Sequence, residues 1–400
     1  MIIFVILILI ILLFLNKVFF ESAIFSPIVL HILSWYLPFV LLPISLSTSY
    51  YSGFSFSINF YIVFFLSSFS FVLGTLFLGS VKRPKYRTSS VKKTKLFLLL
   101  GVGIISFAHN IYDVFVHGGL SLYANSGLRQ VEIIFGSNVF FNYGYFLLVP
   151  GMLYLVFGRR LEVVRRPRYI ILISLIMVML VLHGVKSTFM YPFVMMILGL
   201  NILGMRLKPQ HVALTTLLFF MVFQLVAATR ELPYLLAGNT SVIEYVQGTF
   251  KKPALYFSSG LINLGYELQK NHIYGLGVYT FSSFTRMLNF LQTGSNELVI
   301  KQSQLHLFYG GYNTGTYLRS LYKDFGFFGV IIFPFLYGVG AKVCYSRMHK
   351  GSFESFLTYL VVSSMIVAMF FSNHFLKIQY IYWIIVGIIV SRYSLLKWRR

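Results

Sequence analysis

The chain has 400 residues, of which 58% are hydrophobic and 11% are charged. Soluble globular proteins carry roughly 25% charged residues, and a soluble fold of this length cannot bury so much apolar surface. The composition therefore excludes an ordinary soluble domain and predicts an all-α, polytopic integral membrane protein. The formal net charge is +23, but Lys and Arg of membrane proteins collect in cytoplasmic loops. We therefore expect the lipid bilayer, and not a nucleic acid, as the partner of this charge.

Eleven segments are apolar enough to be membrane-spanning helices, each of which needs about 20 residues. In chain order they are residues 2–16, 28–46, 58–79, 96–112, 139–157, 169–186, 188–204, 212–229, 325–343, 355–372 and 376–394. The first segment has no basic region before it, so it is predicted to be a retained span and not a cleaved signal peptide.

Dense basic clusters predict the orientation of these spans. KRPKYRTSSVKKTK (82–95) and GRRLEVVRRPR (158–168) should be cytoplasmic. Counting spans from them places every other basic cluster near a span end on the same side, with the N-terminus outside and the C-terminus inside. The predicted domains are a bundle of about eight helices (1–229), a long outside segment (230–324) and a bundle of about three helices (325–400).

The outside segment is too long to be a plain connector, and it should have structure of its own. SVIE (241–244) matches a capping box, which predicts the start of a helix. PALYFSSGLINLGYEL (253–268) follows with helical apolar spacing and many aromatic residues. We expect this helix to lie in the membrane interface and to pack on the bundle.

The sequence contains no Walker loop, no Rossmann glycines after a strand, no HExxH motif and no paired-cysteine metal site. Its ten acidic residues are scattered, and its one cysteine, Cys344, cannot form an intramolecular disulfide. The sequence therefore predicts no metal and no cofactor, and it disfavours a nucleotide-driven pump or a metalloenzyme.

Cations on the predicted outside face need an explanation, because Lys and Arg are depleted there. Arg230 and Arg319 lie at span ends and Lys186 lies at the tip of a hairpin. Ionisable groups at this depth are costly and usually functional or paired. Two explanations remain open. The cations bind a phosphate-bearing headgroup, or they pair with the carboxylates Glu231, Glu132 and Asp324.

Arg319 and Lys323 belong to the stretch YGGYNTGTYLRSLYKDFGFFG (309–329). They are four residues apart, so on a helix they would share one face and repel each other unless an anion lay between them. His306 lies just before this stretch and is a candidate general base, because histidine titrates near neutrality. A structural role for His306 stands equally open. Asp324 is predicted either to orient the two cations or to act as the base.

Three motifs resemble those of Wzy-type polymerases, which are also called oligosaccharide repeat-unit polymerases. The motifs are LYFSSGLINLGYEL (255–268), YGLGVYTF (274–281) and YNTGTYLRSLYKDFGFFGVIIFPFLYG (312–338). The resemblance covers mainly residues 230–340. Most of it is carried by Asn313, Thr314, Thr316, Asp324, Gly326 and Gly329.

The resemblance implies a GT-C-like membrane glycosyltransferase on the outer, periplasmic face of the bacterial inner membrane. Such an enzyme transfers a growing glycan from undecaprenyl pyrophosphate to an incoming lipid-linked unit, during O-antigen, capsule or exopolysaccharide synthesis. It would need no metal. Its candidate partners are the lipid-linked oligosaccharide, a chain-length regulator and a flippase.

The family's basic residues in outside loops are thought to hold pyrophosphate. The positions that could match here are Arg129, Lys186, Arg230 and Arg319, of which Lys186 stands where many relatives show arginine. The predicted substrate site adds Lys323, Tyr309 and Asn313, and the candidate catalytic residues are His306 and Asp324. A ligase that moves a finished glycan is one alternative. A flippase is another, although its spans should carry more charges than these do.

Overall fold

The computed structural model describes residues 2–20, 25–47, 54–79, 93–116, 147–151, 194–199, 242–270, 274–284, 315–348, 353–370 and 375–393. Within these ranges the chain forms helices and turns and contains no strand. The longer helices are α1 (Ile2–Phe20), α2 (Pro27–Leu46), α3 (Ile58–Leu76), α4 (Lys93–Val116), α5 (Val242–Glu267), α6 (Tyr317–Met348), α7 (Phe353–Val367) and α8 (Ile378–Tyr393).

Three of the described helices, α2, α3 and α6, are long and apolar enough to cross a membrane. Shorter apolar stretches lie in α1, α4 and α7. The fold is thus that of a helical membrane protein. Six predicted spans coincide with α1 to α4, α7 and α8. The four predicted spans between residues 139 and 229 lie mostly outside the described residues.

The chain divides into two compact units. The first consists of Met1–Lys85, Phe250–Lys350 and Val362–Ile381, and it contains the candidate site described below. The second consists of Tyr86–Thr249, Gly351–Val361 and Tyr382–Arg400. Within the second unit, α4 packs on residues 147–151, where Gly103 meets the side chain of Leu148.

Local sequence explains how α2 begins and how it pairs with α3. The Ser26 side chain accepts a hydrogen bond from the Val29 N–H at 3.2 Å, and Pro27 occupies the first helical position. Both features favour a helix start. Trp35 of α2 then stacks on Phe64 of α3 with ring centroids 5.0 Å apart. This packing of large aromatic rings holds the two helices together.

Helices α3 and α6 cross at close range because each has a glycine at the contact. A Cβ atom at Gly74 would collide with the carbonyl oxygen of Phe335, and one at Gly338 would collide with that of Phe71. Small residues at helix crossings are typical of membrane proteins, where close backbone approach gives the van der Waals contact that holds helices together.

Helix α6 is a hairpin of two helical arms that meet at Gly326. This residue has φ 58° and ψ −140°, far from helical values. The rings of Tyr317 and Tyr337 lie 6.4 Å apart, whereas these residues would be about 30 Å apart in a straight helix. The Leu321 carbonyl also lies directly beside Gly329. The chain therefore reverses direction at Gly326, and the arm 317–325 folds back along the arm 327–348.

The hairpin changes the interpretation of the stretch 309–329. The sequence predicted a span over 325–343 with the charges at its outer mouth. The structure instead begins the helix at Tyr317, whose ring packs edge-on against Trp35 near the middle of α2, at 5.3 Å. Residues 317–325 thus run alongside the span in the opposite direction. Arg319 lies inside the bundle and is 5% exposed.

Helix α5 confirms the helix predicted over 253–268 and packs on the bundle as expected. The hydroxyls of Ser258 and Ser45 form a hydrogen bond at 2.5 Å, and Leu255 and Ile262 pack with Leu42. Gly260 approaches the carbonyl oxygen of Phe370 closely. Most of residues 254–268 are buried, so contacts with protein surround this part of the helix.

Candidate functional site

Arg319, Lys323 and Glu267 form a buried ion triad. Arg319 donates from Nε and Nη2 to Oε2 of Glu267, at 3.0 and 2.9 Å. Lys323 Nζ lies 3.1 Å from the other carboxylate oxygen, Oε1. The two cations come from the first arm of α6, and the carboxylate comes from the last residue of α5.

The triad is almost completely shielded from solvent. Side-chain exposure is 6% for Arg319, 2% for Glu267 and 11% for Lys323. Burial alone would raise the pKa of Glu267, but the charges of Arg319 and Lys323 and their hydrogen bonds outweigh it and lower that pKa. Glu267 is therefore ionised at neutral pH and is a weak base.

Aromatic rings and a third cation surround the triad. Lys323 Nζ lies 4.7 Å from the ring centroid of Tyr279, and Lys270 Nζ lies 4.2 Å from that of Tyr266. Both are cation–π distances. The charge of Lys270 also acts on Lys323. Lys270 is exposed, whereas Arg319, Lys323, Glu267 and Asp324 are shielded, so these two shielded cations and two shielded carboxylates balance in formal charge.

Asp324 binds the backbone of the neighbouring turn and is completely buried. Its Oδ1 accepts the Tyr279 N–H at 3.2 Å, and its Oδ2 accepts the Thr280 N–H. The carbonyl of Lys323 accepts the Gly275 N–H at 3.0 Å. These three bonds fasten the turn 274–281 to the first arm of α6. In this structure the carboxylate thus holds a loop, whereas its role as base remains a prediction.

Glycines allow the turn and the hairpin to approach each other. A Cβ at Gly275 would lie 2.5 Å from Asp324 Oδ1, and one at Gly326 would lie 2.9 Å from the Tyr274 hydroxyl. Gly277 has φ 104°, which favours glycine. The motifs YGLGVYTF (274–281) and KDFGFFG (323–329) therefore pack against each other. Glu267, at the end of α5, is the anion that pairs with Lys323 of the second motif.

The structure brings together three of the predicted site residues, Arg319, Lys323 and Asp324. Arg319 and Lys323 share one helix face, as their spacing predicted, and an anion lies between them. The remaining predicted site residues lie outside the described residues; they are Arg129, Lys186, Arg230, His306, Tyr309 and Asn313.

Sequence reasoning did not identify Glu267 as the anion. It named Glu231, Glu132 and Asp324 as the carboxylates available to the cations. Glu267 is 52 residues from Arg319 in the chain, so no local pattern connects the two. The available signal was the end of the aromatic helix predicted over 253–268, where YEL contains one carboxylate in a motif that resembles the same family as the stretch with Arg319 and Lys323.

The arrangement is suited to binding an anion with several oxygen atoms. A guanidinium presents a planar fork to such a group and an ammonium adds a point charge. In a buried site both act at low dielectric, where their attraction for an anion exceeds that in water.

Comparison of the chain with known proteins gives no match to a family model, to a characterised protein or to a solved structure. The resemblance to Wzy-type polymerases is thus an expectation from the motifs quoted above.

Proposed function

We propose that this chain is a membrane glycosyltransferase that polymerises lipid-linked oligosaccharide repeat units. The observation that carries the proposal is the cluster of Arg319 and Lys323 on the folded-back arm of α6. The cluster is formed by the same motifs that resemble those of Wzy-type polymerases. In the predicted topology it lies towards the outer face of the bacterial inner membrane.

In the proposed reaction, the bond between sugar C1 and the pyrophosphate oxygen of one lipid-linked unit breaks. A hydroxyl at the free end of the incoming unit forms the new bond to C1. Arg319 and Lys323 stabilise the negative charge that develops on the departing pyrophosphate. The hydroxyl proton passes to a general base. His306 is the candidate for this role, because both oxygens of Asp324 accept backbone hydrogen bonds.

The folded-back arm gives a second candidate function some support. Discontinuous helices with charges at membrane depth are typical of transporters, and α6 is broken at Gly326. A flippase of the same lipid-linked units would use the same anion site. The buried triad weakens the sequence argument that the spans carry too few charges for transport.

Gene deletion separates these functions. We expect a deletion strain to make surface polysaccharide that carries single repeat units, without the ladder of longer chains on a gel. The wild-type gene should restore the ladder. Lipid-linked units that accumulate on the cytoplasmic side would identify a flippase instead. Unchanged surface polysaccharide would rule out both functions.

A further inference from the structure

We propose that the Glu267 carboxylate is an internal stand-in for the phosphate group of a ligand. When the ligand binds, its phosphate displaces Glu267 from Arg319 and Lys323. Both carboxylate oxygens are engaged, Oε2 by two N–H groups of Arg319 and Oε1 by Lys323 Nζ. This combination of a two-pronged arginine contact and a lysine point charge is the arrangement that recognises phosphate oxygens. The carboxylate occupies the position that those oxygens take.

The location of Glu267 at the end of a helix favours its displacement from the two cations. It is the last residue of α5, and a carboxylate at a helix C-terminus is disfavoured by the helix dipole. The attraction of the two cations therefore holds it in place against the dipole. A phosphate competes well for them, because it offers more oxygen atoms and carries up to twice the charge.

The site keeps its cations paired during such an exchange. With Glu267 in place, the shielded cations Arg319 and Lys323 are matched by the shielded carboxylates Glu267 and Asp324. A phosphate that replaces Glu267 at the two cations would leave both of them beside an anion. Glu267 ends α5, and the next exposed residues are Gln269 and Lys270. The displaced carboxylate would turn towards this exposed end of the helix, where water solvates it.

This inference depends on the proposed function only for the expectation that the natural ligand carries phosphate. Its test measures binding to the purified protein, and it can therefore fail while the deletion strain behaves as proposed, or succeed while that strain does not.

The test compares wild type with Glu267→Gln during thermal unfolding in detergent, as inorganic pyrophosphate is added at constant ionic strength. Removing the internal competitor should make pyrophosphate binding about tenfold tighter, as read from the concentration dependence of the unfolding midpoint. Glu354→Gln, which removes a carboxylate from α7, should behave as wild type. Adding Lys323→Gln to Glu267→Gln should abolish the gain.

A second arm identifies the source of the phosphate. Wild type and Glu267→Gln are placed in nanodiscs of phosphatidylcholine, with or without phosphatidylglycerol. A larger stabilisation of Glu267→Gln by phosphatidylglycerol alone would assign the site to a lipid headgroup. A larger stabilisation by pyrophosphate would assign it to phosphate that enters from water. Either result supports the stand-in role.

Equal or weaker responses of Glu267→Gln to both phosphate sources would overturn the proposal, and Glu267 would then be a fixed part of the site. If Glu267→Gln does not fold, Glu267→Asp replaces it, because its shorter side chain loosens the contact while keeping the charge. Glu267→Asp should bind pyrophosphate more tightly than wild type does. Binding no tighter than wild type would equally overturn the proposal.

Discussion

At the scale of single residues, one carboxylate lets two cations lie on adjacent turns of the same helix face. Without Glu267, Arg319 and Lys323 would repel each other in a site that water hardly reaches. Removing one partner from a buried ionic group typically destabilises a protein by about 3–5 kcal/mol, because the remaining charge is left buried. Glu267 is therefore important for stability whether or not phosphate displaces it.

The lowered pKa of Glu267 predicts a pH dependence of stability. A carboxyl group with a lowered folded-state pKa stabilises the fold fully above its unfolded pKa of about 4.3, and this stabilisation is lost as the pH falls through the folded-state pKa. We expect wild type to be more stable than Glu267→Gln at pH 7. Unfolding midpoints measured from pH 7 to pH 3 should show this difference shrinking below about pH 4. A constant difference over that range would contradict the assignment.

Asp324 should control the order of the turn 274–281. Asp324→Asn keeps one acceptor oxygen and Asp324→Ala keeps none, so amide hydrogen exchange at Tyr279 and Thr280 should rise in that order. A lost hydrogen bond to a charged group costs about 2 kcal/mol, so exchange should quicken more than tenfold. Amides of α3 serve as the internal control. If Asp324 were mainly the base, Asp324→Asn would abolish glycan chains without changing exchange.

At the scale of elements, the hairpin of α6 depends on one glycine. Gly326 adopts a backbone conformation that is almost restricted to glycine, and the Tyr274 side chain fills the space beside it. The reversal places Arg319, Lys323 and Asp324 between α5 and the turn 274–281. A continuous helix would carry these residues away from Glu267.

Gly326→Ala should destabilise the protein by about 2 kcal/mol or more, because an L-residue at positive φ is strained and its Cβ would meet Tyr274. Gly340→Ala on the same helix is a matched control. Its Cβ would have no atom within 4 Å, so the substitution should be neutral or stabilise by up to about 1 kcal/mol. Chemical unfolding of both variants measures the difference. Equal stability of the two would contradict the hairpin.

At the scale of the whole molecule, apolar runs were sufficient to predict most described helices, since a run of this length has to be a helix in lipid. The same reasoning missed the hairpin. The predicted span began at Phe325, directly after Lys323 and Asp324, so hydropathy located a boundary next to Gly326 but gave no reason for the chain to reverse direction there. The i,i+4 spacing correctly predicted that Arg319 and Lys323 share a face and need an anion.

The identity of that anion could not be predicted, because it depends on how α5 packs against the hairpin. Glu267 lies at the end of a helix that is positioned by the Ser258–Ser45 hydrogen bond and by the close approach of Gly260 to Phe370. Such contacts between distant segments follow from shape complementarity, and no local sequence pattern records them. The anion of the triad was therefore the part of the candidate site least visible in the sequence.

The most direct test of the proposed function is the chain length of surface polysaccharide in a deletion strain that expresses the double variant Arg319→Gln/Glu267→Gln. This variant removes the arginine together with its counter-charge, so no carboxylate is left buried without Arg319. Arg347→Gln, on the same helix, serves as the matched control. We predict that the control restores the ladder of long chains and that the double variant, at the same protein level, gives single repeat units. A normal ladder from the double variant would contradict a phosphate-binding role for Arg319.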